Sequence, residues 1–385
     1  MTDTPTIGLQ YLVRLRSGQD YKHVADDAGE IPVIGSGGPF AAASAHLYDG
    51  ESVLFGRKGT IDRPLHVNGK FWTVDTMFYT ELSPAVFGRW LYYWATTIPF
   101  SLYSTDTALP SMTSSTLGRL QVPILALQTQ REIAAYLDYE TGKIDRMIAS
   151  LDQLTRQLRH RLSQVATHLV FGLKRHEGRQ SLHTQSVLDG IPDRWRRTKF
   201  GYDFAESMER NGGDPPGPLL SISEYRGVEL NPRTEGQQAS LDVSKYRVVR
   251  PGQLAANMMW LNHGGLGVSS LTGYISPDYK AFWISDRFES RYVHHLFRSS
   301  RYIDYFAAIA NGVRPNAQRV TKTVLDATPV PLPPLHEQVQ IANRLDKATT
   351  HVDAMLTKVA DLKALLLERR SALITDVVTG GKEVA

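Results

Sequence analysis

Val122-Pro-Ile-Leu-Ala-Leu-Gln-Thr-Gln-Arg-Glu-Ile-Ala-Ala-Tyr-Leu-Asp138 and Val330-Pro-Leu-Pro-Pro-Leu-His-Glu-Gln-Val-Gln-Ile-Ala-Asn-Arg-Leu-Asp346 are two writings of one stretch, 208 residues apart. The correspondence runs without a gap from Val122–Gly172 to Val330–Gly380. About a third of the pairs are identical, among them Gln130/Gln338, Leu137/Leu345, Asp138/Asp346, Leu158/Leu366 and Gly172/Gly380. Agreement of that length marks an internal duplication.

Each copy reads as one long helix. Ile144, Met147, Leu151, Leu154, Leu158, Leu162, Val165 and Leu169 recur at steps of three and four, the seam of a coiled coil. The second copy has Val352, Met355, Val359, Leu362 and Leu366, then Arg370 where an apolar residue is due, then Leu373 and Val377. Thr129 with Glu132 reads as a capping box at the first start, and Gly172 and Gly380 as C-terminal stops. About 40 residues at 1.5 Å each give a span of about 60 Å, long for a packing helix of a compact domain. A lone stripe of this kind could equally dimerise a protein or fill a core. Two copies, each after a domain-sized segment, point instead to a pseudo-twofold internal repeat, with the helices paired antiparallel and one globular segment at each end.

Those segments are rich in Gly, Pro, aromatics and short β-like runs such as Ser52–Phe55, Phe71–Val74 and Tyr246–Val249. The expected fold class is mixed α+β: two α/β domains separated by the long helices. Gly50-Glu-Ser-Val-Leu-Phe55 and Gly252-Gln-Leu-Ala-Ala-Asn257 occupy like places, so the halves read as one fold with diverged surfaces. Gly56-Arg-Lys-Gly-Thr60 sets Arg57, Lys58 and Thr60 between glycines that allow close backbone approach, suited to phosphates or guanine edges. Asn68, Lys70 and Trp72 follow. The second half offers Asn257, Asn262 and His263, then Arg314, Asn316, Gln318 and Arg319, amide and guanidinium forks of the kind that read adenine and guanine. Taken singly, each of these is as well explained as a turn or a solvated surface residue.

The remaining features exclude more than they assert. The 385 residues include no cysteine, which rules out disulfides, thiolate catalysis and Cys-ligated zinc. A net charge of +4 permits an anionic partner. No stretch is apolar enough to span a membrane, and Met1–Gly8 has neither block of a signal peptide, so a cytoplasmic location is expected. Gly35-Ser-Gly-Gly38 lacks the Lys-Ser/Thr of a phosphate loop and reads as a turn. Asn231-Pro232-Arg233 is not the motif of an amino-methyltransferase. Pro277-Asp278 and Glu289-Ser290-Arg291 lack the Lys of a metal-dependent nuclease. His294-His295 read as ordinary helix residues, and no metal-ligand spacing is found. No catalytic or metal site is expected.

Pro329-Val-Pro-Leu-Pro-Pro-Leu-His-Glu-Gln338 with Ile341 and Leu345-Asp346 resembles the conserved helical region of type I restriction-modification specificity subunits. Gly190-Ile-Pro-Asp-Arg-Trp195 resembles the start of their second recognition domain, and Val53–Thr60 with Trp72–Tyr79 a segment of the first. The resemblance implies a target recognition domain at 1–118, a helical region at 119–175, a linker at 176–188, a second recognition domain at 189–327, a second helical region at 328–381 and a tail at 382–385. It implies a non-catalytic chain that binds double-stranded DNA at a bipartite asymmetric target. It also implies binding of two methyltransferase subunits and recruitment of restriction (motor nuclease) subunits. The chain would hold no cofactor, with S-adenosylmethionine, ATP and Mg on the partners. The first helical copy departs from the pattern, reading Pro123-Ile-Leu-Ala-Leu-Gln-Thr-Gln130 without the double proline and the Glu. A self-sufficient DNA-modifying enzyme and a coiled-coil scaffold with no DNA role are the alternatives. A methylation assay on the isolated chain would separate the first, and salt-dependent DNA binding the second.

Overall fold

The computed structural model describes residues 5–103, 110–173, 186–212, 215–231, 243–311 and 319–382. They form two compact units: Met1–Asp152 with Val359–Ala385, and Gln153–Lys358.

In the first unit, Val13–Ser17, Met77–Leu82, Ser52–Gly56 and Leu65–Val67 form an antiparallel sheet in that order. A second sheet joins Gly38–Ala43, Ile31–Gly35, Lys70–Thr73 and Tyr48–Asp49, its middle pair parallel. Gly35–Gly38 is indeed the turn of a hairpin. A ribbon pairs Thr6–Gly8 with Gln121–Pro123. Helix Gly88–Thr96 packs Trp90, Leu91 and Trp94 into the core with Phe55, Phe78 and Leu117.

The second unit repeats this plan. Phe204–Ser207, Tyr279–Ile284, Leu254–Asn257 and Leu266–Val268 form its four-stranded sheet, and Arg196–Lys199 pairs with Pro329–Leu332. In place of a second four-stranded sheet it has, among the described residues, two two-stranded pairings, the hairpin Leu220–Ser223 with Gly227–Leu230 and the antiparallel pair Arg247–Val249 with Gly273–Ile275. Helix Ser290–Phe297 takes the place of Gly88–Thr96. The short helices Ser114–Gly118 and Lys322–Asp326 are capped by Thr113 and Thr321, each accepting a backbone N–H three residues on, and these threonines are again 208 apart.

The long helices span Leu127–Val170 and Leu335–Val378, 44 residues each. Within the first unit they run antiparallel: Asp145 meets Arg370 at 3.1 Å, and Asp152 meets Lys363. The first ion pair accounts for Arg370, whose cation replaces an apolar contact with a carboxylate on the facing helix. The first helix starts at Leu127, two residues before Thr129, so Thr129 caps nothing there; Glu132 instead accepts from Gln128 at 2.8 Å. Gly172, with φ of +60°, ends the helix as expected, and Leu173 N–H reaches back to His168 O in a Schellman-type bond. Ile144, Val359, Leu366 and Val377 are buried, but Met147, Leu154, Val165 and Leu362 of the expected seam are exposed. A single partner helix covers only a narrow stripe, too narrow for all of them.

The two cores share a feature that the chain order hides. Ile374, Val377 and Val378, the end of the second helix, lie in the first unit's core beside Ile133, Ala134 and Leu137. Val170 and Phe171, the end of the first helix, lie in the second unit's core beside Ile341, Ala342 and Leu345.

Candidate nucleic-acid interface

Strand Ser52–Gly56 is buried throughout, so the first group free to face solvent is the loop after it. A Cβ on Gly56 would lie 2.2 Å from Thr60 O, so only glycine lets the loop fold back so tightly. Backbone bonds then pin it to two other segments. Arg57 N–H donates to Thr76 O at 2.8 Å, Met112 N–H to Arg57 O at 3.0 Å, and Gly59 N–H to Pro110 O at 2.9 Å. Lys58 and Thr60 are exposed, and the half-buried Arg57 guanidinium lies 5.8 Å over Phe78 and donates to Asp75 O. These three expected site residues come together on one fixed loop.

Asn68 and Lys70 do not join them. Val67 pairs with Ser52 and Leu65 with Leu54, so the exposed Asn68-Gly69 turn lies beyond the opposite end of the strand, about 17 Å of β-structure away. Trp72 is a correction. It is 5% exposed beside Val33 and Ala43, and its indole N–H donates to Gln19 O at 3.0 Å, which makes it a core residue with its polar handle satisfied.

In the second unit the matched loop follows the buried strand Leu254–Asn257. It is pinned in the same way, by Val320 N–H donating to Met258 O at 3.0 Å, and the segments bonded to the two loops each lead into a Thr-capped helix. Asn257 is also a correction, because it is buried and its Oδ1 accepts Met259 N–H at 3.1 Å, so its amide shapes the turn. Asn262 is half-buried and His263 exposed, and Arg319 is exposed on a backbone ladder with Asn311. Arg314, Asn316 and Gln318 lie outside the described residues. Sequence reading missed Met259 and Trp260, 42% and 53% exposed, with the Trp260 ring 4.9 Å from that of His263. No sequence signal singled them out, because the same apolar run also carries the buried Met258 and Leu261.

Where each long helix begins lies a repeated polar frame. Buried Gln130 accepts Phe87 N–H and donates to Ala85 O and Leu125 O; buried Gln338 accepts Glu289 N–H and donates to Arg287 O and Pro333 O. Asp138 receives Arg89 and the Tyr93 hydroxyl, while Asp346 receives Arg291 and His295. Burial, reinforced by the bond to Asp138, pushes the Tyr93 hydroxyl up to about 12. Burial, with the Arg298 cation beside it, pushes His294 down to about 3, so it is neutral and accepts Val268 N–H on Nδ1. His295 shifts the same way by burial, with Asp346 opposing. Among the described residues no group of three His, Asp or Glu could hold a metal ion, and no helix is long and apolar enough to cross a membrane. The loops offer hydrogen-bond forks, cations and an aromatic face, the chemistry of binding.

Comparison with known proteins bears on this frame. Residues 269–363 match the model of the type I restriction modification DNA specificity domain, which bears out over that stretch the resemblance read from the sequence. A search of curated proteins finds no match. Among solved structures, the chain is similar to one described under the structural basis of complex assembly and conformational transition of the type I R-M system, with TM-score 0.65, 15% identity and 97% of each chain covered. It shares that protein's fold. The S subunit of M. genitalium (TM-score 0.41, 13% identity, 98% of this chain and 97% of that one) and the HsdS subunit of Thermoanaerobacter tengcongensis (0.44, 16%, 98% and 96%) are further matches.

Proposed function

We propose, on the premise that residues 269–363 are a type I DNA specificity domain, that this chain is the non-catalytic subunit that reads a bipartite DNA target for a restriction-modification complex. The observation that carries the reading is the matched loop. One backbone bond, from Met112 to Arg57 and from Val320 to Met258, fixes it in both units, yet it presents Arg57, Lys58 and Thr60 in one and Met259, Trp260 and Asn262 in the other. A common frame with unlike reading groups is what two different half-sites require.

Two methyltransferase subunits and the restriction subunits are the proposed protein partners. The exposed apolar residues of the long helices, Met147, Leu154 and Val165 on one and Leu362, Leu365 and Leu367 on the other, support such docking. S-adenosylmethionine, ATP and Mg would belong to those partners, and the complex would work in the cytoplasm. The test is to map methylated adenines in cells that carry the chain with its methyltransferase. A split motif, with two constant half-sites and a spacer of fixed length, is expected. One contiguous motif, or methyl transfer by the purified chain alone, would refute the reading.

A further inference from the structure

From Gln153 to Leu173 the first long helix carries Arg156, Arg159, Arg161 and two histidines and not one Asp or Glu. The matched segment of the second helix, Asp361–Gly381, sets Asp361, Glu368 and Asp376 against Lys363, Arg369 and Arg370. Duplication gave both segments the same apolar pattern, but their net charges are +3 and zero with His neutral. Packing does not demand that difference, because the basic residues are on the outside: Arg156, Arg159, His160 and Arg161 are all exposed. Arg156, Arg159 and His160, three and four apart, share one face.

That face meets the hairpin tip of the same unit. The Arg159 guanidinium lies 4.6 Å from the ring centroid of Tyr225, which is 66% exposed, and Arg226 beside it is exposed. The tip is held from below. Arg298 donates to Ser223 O, Glu224 O, Gly264 O and Leu266 O, and its buried charge draws on the two acids of the hairpin, Glu224 and Glu229. Among the described residues none of Arg156, Arg159 or Arg226 has a carboxylate partner. A guanidinium whose face rests on a tyrosine offers its N–H edge, the side that matches a phosphate in bidentate fashion. Because the platform is already ordered, little conformational entropy would be lost on binding.

We propose that the acid-free half of the first long helix, with the hairpin tip at Tyr225–Arg226, is a DNA-phosphate surface of the second unit, separate from its base-reading loop and indifferent to sequence. The inference rests on the DNA-binding reading above.

Anisotropy titrations of the full chain on a random-sequence duplex, over roughly 50 to 200 mM salt, test it. Arg156→Gln with Arg159→Gln should lower the slope of log K against log salt by about 0.9 for each phosphate no longer neutralised, and weaken binding about tenfold per such phosphate near 0.1 M. Arg156→Lys with Arg159→Lys should keep the slope. Glutamine is a good helix former, so the fold should survive, which circular dichroism checks. A folded Gln variant with the wild-type slope overturns this surface, leaves the DNA reading standing, and assigns the basic face to an acidic protein or to solvent. A wild-type chain that shows no salt-dependent DNA binding overturns both.

Discussion

After the strands Ser52–Gly56 and Leu254–Asn257 the two units differ in almost every side chain, whereas at the start of the long helices Gln130 and Gln338 make the same three bonds to matched backbone positions. The two regions have diverged to different extents for a physical reason. A buried amide that bonds two carbonyls and one N–H can be replaced only at the expense of all three bonds, which no other side chain of its size reproduces. A loop fixed by its backbone can change every side chain and keep its shape. Divergence is concentrated where backbone bonds hold the structure.

The sharpest way to break this comparison is at the frame. Gln130→Ala and Gln338→Ala should each cost about 2–4 kcal/mol, with similar shifts in urea unfolding, because each removes three hydrogen bonds and the packing of a buried side chain. A shift under about 0.5 kcal/mol in either would show that the frame is not equally needed in both copies.

Acid should tell the units apart next. His294 stands where the first unit has Tyr92, and its pKa near 3 lies below the ordinary 6.5, so the unfolded chain takes up the proton first as the pH falls. Its contribution is complete above pH 6.5 and is lost toward pH 3, by at most about 1.4 kcal/mol per pH unit. His294→Asn, which keeps an acceptor for Val268 N–H, should flatten the fall of the melting temperature between pH 6.5 and 4.5. An unchanged slope would remove His294 from the account.

At the loop, Arg57→Ala with Lys58→Ala should weaken DNA binding about tenfold per phosphate released and relax the methylation motif in one half-site only. Relaxation in both half-sites, or in neither, would mean that the first unit's loop does not read its own bases. The smallest effect is expected at Arg370, whose matched residue is Leu162. Arg370→Leu should change stability by less than about 1 kcal/mol, since a partly exposed ion pair is worth little and the leucine restores an apolar position. Differential scanning calorimetry would detect a larger loss, and with it a need for the Asp145 pairing.

Much of this comparison was legible in the sequence. The repeat found the long helices, and extending its 208-residue offset backwards would also have found Thr113 and Thr321, the matched caps. The role of Gln130 and Gln338 was not legible. They stood out as identities, but their partners lie in Ala85–Phe87 and Arg287–Glu289, where the copies have lost their likeness. Trp72 was chosen for its closeness in sequence to the basic loop and Asn257 for its amide, while their bonds to Gln19 O and Met259 N–H are set by packing and turn geometry. The capping box was misplaced because Leu127 and Gln128, with no capping chemistry, already lie in the helix.

That each core borrows the end of the other copy's helix also sets an order of events on the ribosome. The second unit is one uninterrupted segment, Gln153–Lys358, and has every residue of its core once Leu345 has emerged. Most of the first unit is made before the second, but it lacks Ile374, Val377 and Val378 until the helix that carries them is complete. At about 5–20 residues per second its nascent sheet waits tens of seconds with a hydrophobic face open. The half that is synthesised first is thus the half that closes last.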